Sequence, residues 1–237
     1  MVNLSLVIPC YNEEKNIDPL FEKLKKLSDL DNRIEIIIVD NGSTDKTNTN
    51  ILKNEFYKKD KIKLLLIEKN IGYGNGIMTG VKAASGNFIA WCHADLQTEP
   101  IDVYNAYNKN LSHLENGNCV VKGLRKNRSI FDSIFTFGMS IFASIMFKMK
   151  INDINAQPKL FPKYFLKFIK NAPNDFSLDL YFLVIAKINN YKIIHHDVVM
   201  KKRIHGEAKG GGNLVGKIKL IKRTLVYIFK LKNNLWK

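Results

Sequence analysis

Val7-Ile8-Pro9-Cys10-Tyr11-Asn12-Glu13 is a stretch in which an apolar run gives way abruptly to polar residues. The same change occurs three more times in the first hundred residues, at positions 40–45 (DNGSTD), 70–74 (NIGYG) and 93–97 (HADLQ). A strand that is buried on both faces and then emerges into solvent has this pattern. In open α/β sheets, ligands bind at that edge, outside the carboxyl ends of the strands. We therefore expect the four loops to form one site large enough for a nucleotide.

The segments between these loops alternate between strand and helix patterns. Four short runs rich in apolar and β-branched residues lie at positions 4–8, 34–39, 62–67 and 88–92. Between the first two, apolar residues recur at helical intervals from Ile17 to Leu27, which is typical of a helix that packs on a core. Strands separated by helices imply parallel βαβ units. The sequence therefore predicts an α/β fold with a Rossmann-like, mostly parallel sheet flanked by helices.

The composition is that of a folded globular protein. The chain has 237 residues, of which 46% are apolar and 25% are charged, and this length suits one sizeable α/β domain. The cysteines (Cys10, Cys92 and Cys119) are widely spaced and form no zinc or disulfide pattern, which indicates a reducing compartment. A strand pattern starts at Leu4, so no secretion signal is expected.

The positive charge is concentrated in the second part of the chain. The net charge is +15, but residues 1–100 carry 13 basic and 14 acidic side chains, whereas residues 101–237 carry 24 and 8. This asymmetry indicates that the second part meets a polyanion, which can be a membrane, a nucleic acid or a phosphorylated substrate. A general lysine bias would raise the total, but it does not explain the asymmetry.

The residues after Pro100 predict further helices and strands. Helix patterns cover positions 101–114, 130–149 and 176–187, and strand patterns cover 119–123 and 192–200. The segment 130–149 approaches the length of a membrane span, but Asp132 and several Ser and Thr residues interrupt it, which favours a buried or interfacial amphipathic helix. We expect one domain over residues 1–212, followed by a basic amphipathic helix over residues 213–237.

The last helix is predicted to bind a membrane surface. Positions 217–237 carry seven Lys or Arg residues and no acidic residue, interleaved with apolar residues at helical spacing. Each basic residue near an anionic leaflet contributes roughly 1 kcal/mol of attraction. We therefore expect a cytoplasmic protein that is peripherally associated with the inner face of the membrane.

The fourth loop is the sharpest chemical element. Alternate residues of an extended segment point the same way, so His93, Asp95 and Gln97 are expected to converge on one point. Their imidazole, carboxylate and amide groups can ligate a divalent ion, and Mg²⁺ or Mn²⁺ shared with phosphate oxygens is typical of such a partial set. The alternative is that this loop starts a helix, with Asp95 or Thr98 as its N-cap.

The loops after the first three strands each have a structural alternative. Asp40 at a strand end can accept hydrogen bonds from a base or a ribose, but Asp45 and Ser43 can also cap the next helix without any ligand. Glu13 is either a ligand contact or an acid favoured by the dipole of a helix start. The glycine-rich segment from Gly72 lacks the spacing of a dinucleotide fingerprint, so we interpret it as a tight strand-to-helix turn.

Taken together, the four loops resemble the nucleotide-binding half of family 2 glycosyltransferases, which have the GT-A fold, and especially the enzymes similar to dolichol-phosphate mannosyltransferase. The resemblance covers about residues 3–212 and is most specific in the first half. The matching positions are 7–13, 39–45, Asn70, Gly72, Gly80, Ala84, Gly86, 94–97 and Pro100, and more loosely 123–125, 155–161, 178–179 and 203–211.

The resemblance implies a nucleotide-sugar pocket and a metal that bridges the donor's diphosphate. The implied pocket residues are Pro9, Tyr11, Glu13, Asp40, Asn41, Gly72, Ala94 and Asp95, and the implied ligands of Mg²⁺ or Mn²⁺ are Asp95, Gln97 and His93. His93 stands where the family has its first aspartate. Either it ligates as a neutral imidazole, with a pH-dependent metal requirement, or metal affinity is weakened and activity is altered or lost. We expect activity to be retained.

The implied reaction is displacement at the anomeric carbon of the sugar, with inversion and a nucleoside diphosphate as leaving group. The expected catalytic residues are Asp95, Arg125 and Asp179, and the expected phosphate-binding residues are Arg128, Arg203 and Lys209. The preferred acceptor is a polyprenyl phosphate or another lipid-linked acceptor at an anionic membrane surface, which needs no base. A glycan hydroxyl in cell-surface polysaccharide synthesis would need a carboxylate, for which Asp175 and Asp179 are candidates.

Three other functions are alternatives to transfer. A sugar-nucleotide-binding protein without turnover is the main rival, because of His93. Nucleic-acid binding is disfavoured, since the basic half has no RNA-recognition signature or interleaved aromatic platform. A nucleotidyltransferase would need a lysine-bearing, glycine-rich loop after the first strand. The sequence leaves the oligomeric state, the base and the sugar open.

Overall fold

The strands of the chain form one mixed sheet. The computed structural model describes residues 2–59, 62–126, 130–206 and 214–235. Its strands are β1 (Leu4–Cys10), β2 (Ile34–Asn41), β3 (Ile62–Ile67), β4 (Phe88–Trp91), β5 (Cys119–Lys126), β6 (Lys159–Pro162) and β7 (Lys192–Val199). Their order in the sheet is β3-β2-β1-β4-β6-β5-β7, and β6 runs antiparallel to both of its neighbours. The remaining pairs are parallel.

Helices cover both faces of this sheet. They are α1 (Ile17–Leu30), α2 (Thr47–Lys53), α3 (Glu55–Lys58), α4 (Tyr73–Ala83), α5 (Pro100–Asn116), α6 (Ile130–Phe147), α7 (Leu178–Ile188) and α8 (Leu214–Leu235), with a 3₁₀ segment over Lys163–Phe168. Apolar residues of α1, α2, α3 and α5 pack in one core, and those of α4, α6, α7 and α8 pack in the other. None of the described helices combines the length and the hydropathy that crossing a bilayer requires.

The central strands are buried on both faces, as their apolar runs predict. In β2, Ile36 and Ile38 belong to one core, whereas Ile37 and Val39 belong to the other. This alternation is the two-residue period of a strand, with apolar side chains at both phases because helices cover both faces.

The loop before α4 is the tight turn that its glycines predict. Gly72 has φ +141°, and a Cβ at this position would lie 2.2 Å from the carbonyl oxygen of Asn174. A larger residue is therefore excluded by both conformation and space. The turn brings the start of α4 beside the segment that precedes α7.

Several predicted boundaries differ from the structure by one to three residues. Helix α2 begins at Thr47, two residues after Asp45, and α7 begins at Leu178 rather than at position 176. The side chain of Asp45 accepts hydrogen bonds from the backbone N–H and the hydroxyl of Thr47, so Asp45 belongs to the preceding turn. Asp175 similarly accepts from the N–H of Ser177.

Strand β6 was not predicted. It is short, ends in a proline and begins with Lys159, whose side chain is fully buried. Charged side chains are rarely buried unless they are paired, so the sequence pattern gave no strand here. The pairing partner of Lys159 lies on α7, and only the folded chain shows it.

Helix α8 packs against the rest of the chain. Ile228 and Leu231 are buried in the core that contains α6, and the rings of Phe142 and Phe229 meet edge to face. The division of the chain at residue 212 stays a prediction.

Candidate functional site

A cavity of about 400 Å³ lies at the edge of the sheet where the parallel strands end. Residues from all four sequence-predicted loops contribute to its wall. The predicted site residues that line it are Pro9, Tyr11, Glu13, Asn41, Gly72, His93, Ala94, Asp95, Gln97, Arg125, Asp179 and Arg203. Asp40 does not line the cavity, and Arg128 and Lys209 lie outside the described residues.

The lining residues follow the order of the strands across the sheet edge. Asn41 ends β2, Pro9 lies near the end of β1, His93 and Asp95 follow β4, Gln157 precedes β6, and Arg125 lies near the end of β5. Because β6 is antiparallel, its start lies at the edge where its neighbours end. Neighbouring strands are about 4.8 Å apart, so the cavity is a groove that crosses five strands.

The first two loops hold each other in place. The N–H of Asn12 donates to the hydroxyl of Ser43, and the side chain of Asn12 accepts from the N–H of Thr44. The N–H of Glu14 donates to Asp45. Much of the polar sequence in these loops therefore serves to join them, and this fixes the wall of the cavity at β1 and β2.

Asp40 stabilises the turn that follows it. Its side chain is 5% exposed, and Oδ1 accepts a hydrogen bond from the N–H of Ser43. Between them, Gly42 has φ +72°. Asp40 thus closes the turn behind the cavity wall, a role that the sequence did not assign to it, and its predicted role in nucleoside binding stays a prediction.

The loop after β4 is a turn rather than an extended segment. Leu96 has φ +58°, and Oδ1 of Asp95 accepts a hydrogen bond from the N–H of Gln97. The predicted alternation of side chains is wrong here, because an Asx turn folds the segment back on itself. His93, Asp95 and Gln97 nevertheless all line the cavity.

A guanidinium lies beside two of the predicted metal ligands. Arg203 contacts Asp95 Oδ2 at 2.7 Å and donates to Gln97 Oε1 at 3.2 Å. Asp95 is almost completely buried, so this ion pair compensates a charge that water cannot solvate well. Arg203 therefore already supplies part of the positive charge that the predicted metal ion would bring to Asp95 and Gln97.

Next to this pair is a buried hydrogen-bond network that centres on Asp179. Oδ1 of Asp179 accepts from Lys159 at 2.9 Å and from Gln157 at 3.1 Å, and Oδ2 accepts from the Tyr73 hydroxyl at 3.2 Å. Lys159 also donates to the carbonyls of Ile154 and Ala156, so its three protons are all used. Burial lowers the pKa of Lys159, and the charge of Asp179 opposes that change.

The same network determines which ring nitrogen of His93 carries the proton that faces Tyr73. The Tyr73 hydroxyl lies 2.8 Å from His93 Nε2 and accepts from Gln157 at 3.1 Å. A hydroxyl has one proton, and the ion-paired carboxylate of Asp179 can only accept, so Tyr73 donates to Asp179. We therefore assign a proton to His93 Nε2, so Nδ1 is the ring nitrogen left to bind a ligand. Burial, and then the charge of Asp179, raise the pKa of Tyr73 well above its usual value, so the phenol keeps its proton.

A second set of cations holds the segment between α6 and β6. Lys122 donates to the carbonyls of Asn152 and Asp153, and Arg125 pairs with the carboxylate of Asp153 through two of its nitrogens. Burial, followed by the charge of Lys159, lowers the pKa of Lys122 to about 7. Burial alone would raise the pKa of Asp153, but Arg125 brings it below its usual value.

Sequence reasoning missed several of these residues. Tyr73, Lys122 and Asp153 were not singled out for chemistry, although a lysine inside the apolar run of β5 is a signal that could have been noticed. Gln157 and Lys159 were quoted only as part of the looser resemblance over residues 155–161. Their partners are far away in sequence, and no local pattern predicts such pairs.

The donor set fits a divalent ion that is held mainly by a ligand's oxygens. Among the described residues there is no group of three His, Cys, Asp or Glu side chains that could hold a metal. Asp95 is the one carboxylate of the predicted set, and Gln97 and His93 add neutral donors. Mg²⁺ commonly binds through one or two carboxylates together with substrate phosphates and water, so these residues fit Mg²⁺ or Mn²⁺ when a diphosphate is present.

Comparison with known proteins identifies the family. The family model described as glycosyl transferase family 2 matches residues 5–128, just over half of the chain. The chain belongs to glycosyl transferase family 2. The matched residues include β1 to β5 and the first four cavity loops.

Two relatives of this chain have a polyprenyl phosphate in their names. A dodecaprenyl-phosphate galacturonate synthase of Rhizobium johnstonii is 28% identical over 176 residues, which cover 71% of this chain and 50% of the relative. An undecaprenyl-phosphate 4-deoxy-4-formamido-L-arabinose transferase of Photorhabdus laumondii is 33% identical over 133 residues, which cover 56% of this chain and 39% of the relative. The chain thus spans half or less of the length of these relatives.

Solved structures confirm the predicted GT-A fold. Glucosyl-3-phosphoglycerate synthase from Mycobacterium tuberculosis, in complex with Mn²⁺, UDP and its product, has a TM-score of 0.69 at 15% identity, over 98% of this chain and 80% of that protein. A mannosyltransferase from Pyrobaculum calidifontis, in complex with GDP-Man and Mn²⁺, has a TM-score of 0.69 at 17% identity, over 96% and 64%. At these identities the likeness supports the fold alone.

Proposed function

We propose that this family 2 chain transfers a sugar, with inversion, from a nucleoside-diphosphate sugar to a polyprenyl phosphate or another lipid-linked acceptor. The observation that carries this proposal is the single groove into which residues from all four predicted loops converge. The groove crosses five strand ends, so a nucleoside can lie at β2 and β1, its diphosphate at Asp95 and the sugar beyond. The relatives whose names include polyprenyl phosphates support the acceptor class.

Asp95, Gln97 and His93 would hold Mg²⁺ or Mn²⁺ at the diphosphate. When it is bound, the ion neutralises the charge that develops on the leaving group. Two solved structures of the same fold contain Mn²⁺, which supports a divalent ion here without selecting between the two. Arg203 is the described cation nearest to this position and would bind the same phosphates once Asp95 is shared.

The contacts of Asp179 favour a phosphate acceptor over a hydroxyl acceptor. A general base must be able to take a proton from its substrate, but three donors already occupy both oxygens of Asp179. We infer that Asp179 positions Tyr73, Gln157 and Lys159. A phosphate acceptor is already an anion and attacks the anomeric carbon without losing a proton.

Helices α6 and α8 would place the chain at an anionic membrane surface. Apolar side chains are exposed on both helices: Ile141 and Ile145 on α6, and Val226 and Phe229 on α8. Exposed Lys222, Arg223 and Lys230 lie on α8 as well. Apolar and basic side chains on one amphipathic surface are typical of helices that lie in a membrane interface.

The decisive experiment combines binding with turnover. Nucleotide sugars of UDP, GDP and TDP are tested for thermal stabilisation with and without Mn²⁺, since a ligand that binds the native state raises its melting temperature. The stabilising donor is then assayed with undecaprenyl phosphate in mixed micelles. We expect Asp95→Asn to lose both the Mn²⁺-dependent stabilisation and transfer, whereas Asp31→Asn, which breaks an ion pair with Arg33 remote from the groove, keeps them. Absence of stabilisation by every donor would refute the proposal.

A non-catalytic sugar-nucleotide-binding protein is the second candidate. The observation that favours it is Arg203, which pairs with the carboxylate expected to hold the metal. If this candidate is correct, the donor binds but is not turned over, and His93→Asp restores transfer. Turnover by the unaltered chain excludes it.

A further inference from the structure

Gln157 has a buried acceptor atom without a partner. Its side chain is 3% exposed and forms part of the groove wall. Oε1 has no hydrogen-bond partner among the described residues. Native proteins rarely leave a buried carbonyl oxygen unpaired, because its desolvation is then not compensated. A partnerless acceptor in a ligand groove indicates a ligand group that donates to it.

The orientation of the amide is fixed by its neighbours. Both protons of Nε2 are used, one by the Tyr73 hydroxyl and one by Asp179 Oδ1, each at 3.1 Å. A flipped amide would turn Oε1 towards the carboxylate of Asp179, which repels it. Lys159 also donates to Oδ1 of that carboxylate and so helps to keep it in place. The unpaired atom is therefore Oε1, and the fold itself assigns it.

The place of Gln157 in the sheet indicates which part of a donor it meets. Asp95 follows β4, and Gln157 precedes β6, the next strand in the sheet. Adjacent strands are about 4.8 Å apart. A donor with its nucleoside at β2 and β1 and its diphosphate at Asp95 therefore extends its sugar to Gln157. The groups that a sugar ring offers as hydrogen-bond donors are its hydroxyls.

We propose that Oε1 of Gln157 accepts a hydrogen bond from a ring hydroxyl of the donor sugar and thereby helps to select the sugar. This inference rests on the proposed function, because it requires a nucleoside-diphosphate sugar in the groove. Gln157 would contribute nothing to binding of the nucleoside diphosphate alone.

The test compares donor with nucleotide. Calorimetry on the full chain with Mn²⁺ measures the affinities for UDP, UDP-glucose, GDP and GDP-mannose, and the series that binds is used further. In Gln157→Met, which keeps the volume but removes the acceptor together with the two N–H donors to Tyr73 and Asp179, we expect the affinity for the nucleotide sugar to fall roughly 10-fold, while that for the nucleoside diphosphate stays unchanged. The analogues described next separate the loss of the acceptor from the loss of the donors. The control is Asn41→Ala at the nucleoside end, which should change both affinities by the same factor.

Deoxy donors give a second readout on the unaltered chain. Analogues of the bound donor that each lack one sugar hydroxyl are compared with the parent. One analogue should lose roughly 10-fold in affinity and should lose nothing further in Gln157→Met. Equal losses for nucleotide and nucleotide sugar in that variant, or fully additive losses for every analogue, would overturn the inference. If no nucleoside diphosphate binds, the proposed function itself fails, and this inference fails with it.

Discussion

At the scale of single residues, two buried lysines support the segment that contributes to the groove wall. Lys122 and Lys159 are both buried beneath the segment that precedes β6. Two ammonium groups near each other in a protein interior repel, and each loses hydration. The chain compensates with backbone carbonyls and with Asp179, so charged hydrogen bonds help to hold the segment before β6.

This burial predicts a pH-dependent stability. The pKa of Lys122 is about 7 in the folded chain and 10.5 when it is exposed in the unfolded chain. Between these values the unfolded state binds more protons, so stability rises with pH. The cost is fully present below pH 7. Relative to Lys122→Met, the free energy of unfolding of the unaltered chain should rise by about 1 kcal/mol per pH unit between about pH 7.5 and 9.5.

Urea unfolding at a series of pH values measures this difference. Lys25→Met is the matched control, because Lys25 is exposed on α1, and its difference from the unaltered chain should not vary over the same range. A difference between the unaltered chain and Lys122→Met that does not change with pH would contradict the prediction.

Arg203 predicts competition between a side chain and a metal ion. Its guanidinium compensates the charge of Asp95, so removing it should let Mn²⁺ bind more tightly when no nucleotide is present. We expect Arg203→Gln to raise Mn²⁺ affinity roughly tenfold, the equivalent of ~1.4 kcal/mol. Electron paramagnetic resonance of free Mn²⁺ measures this directly. Arg33→Gln, which breaks the ion pair with Asp31 away from the groove, should leave the affinity unchanged. Equal affinities in all three chains would disprove the competition.

At the scale of elements, the position of α4 depends on a small residue. A Cβ at Gly80 would lie 2.4 Å from Val7 Cγ1 and 2.9 Å from Val39 Cγ2. Helix α4 therefore lies directly on β1 and β2. The close approach places Tyr73, at the start of the helix, beside His93.

Gly80→Ala should destabilise the chain. Overpacking of about 1–3 kcal/mol outweighs the gain in helix propensity, which is at most about 1 kcal/mol. Chemical unfolding should show a net loss of about 1 kcal/mol or more. Gly117→Ala is the control, since nothing lies within 4 Å of a Cβ there, and it should stay within about 0.5 kcal/mol. An equally small effect of both changes would contradict the packing argument.

The helices and strands could largely be predicted from the sequence, but the hydrogen-bond network around Asp179 could not. Runs such as residues 34–39 identify buried strands because five of the six positions are apolar. Strand β6 was not predicted, because it is short and begins with the charged residue Lys159, whose partner Asp179 lies on helix α7. The groove loops were located because each follows a strand, but the turn at Leu96 depends on a side-chain hydrogen bond that spacing does not encode.

At the scale of the whole molecule, α6 and α8 present apolar surface that the other described residues do not cover. Val226 and Phe229 are 62% and 51% exposed on α8. Val226→Ser with Phe229→Ser should lower binding to anionic liposomes about 10-fold, because two apolar anchors are lost from the interface. Sedimentation with liposomes measures the bound fraction.

The control places the same change elsewhere on the molecule. Leu30 and Leu52 are 61% and 45% exposed on α1 and α2, and replacing both with Ser should leave liposome binding unchanged. If the two double variants bind alike, α8 does not insert into the membrane interface.

The lysine hydrogen bonds that hold the segment before β6 affect how mutation can change the substrate preference. Lys122 and Lys159 grip this segment at the main-chain oxygens of Asn152, Asp153, Ile154 and Ala156. Every amino acid supplies such an oxygen, so these hydrogen bonds do not depend on which side chains the segment carries. Mutation can therefore exchange residues such as Asn155 on a backbone that keeps its course, and a new substrate preference can arise without rebuilding the scaffold.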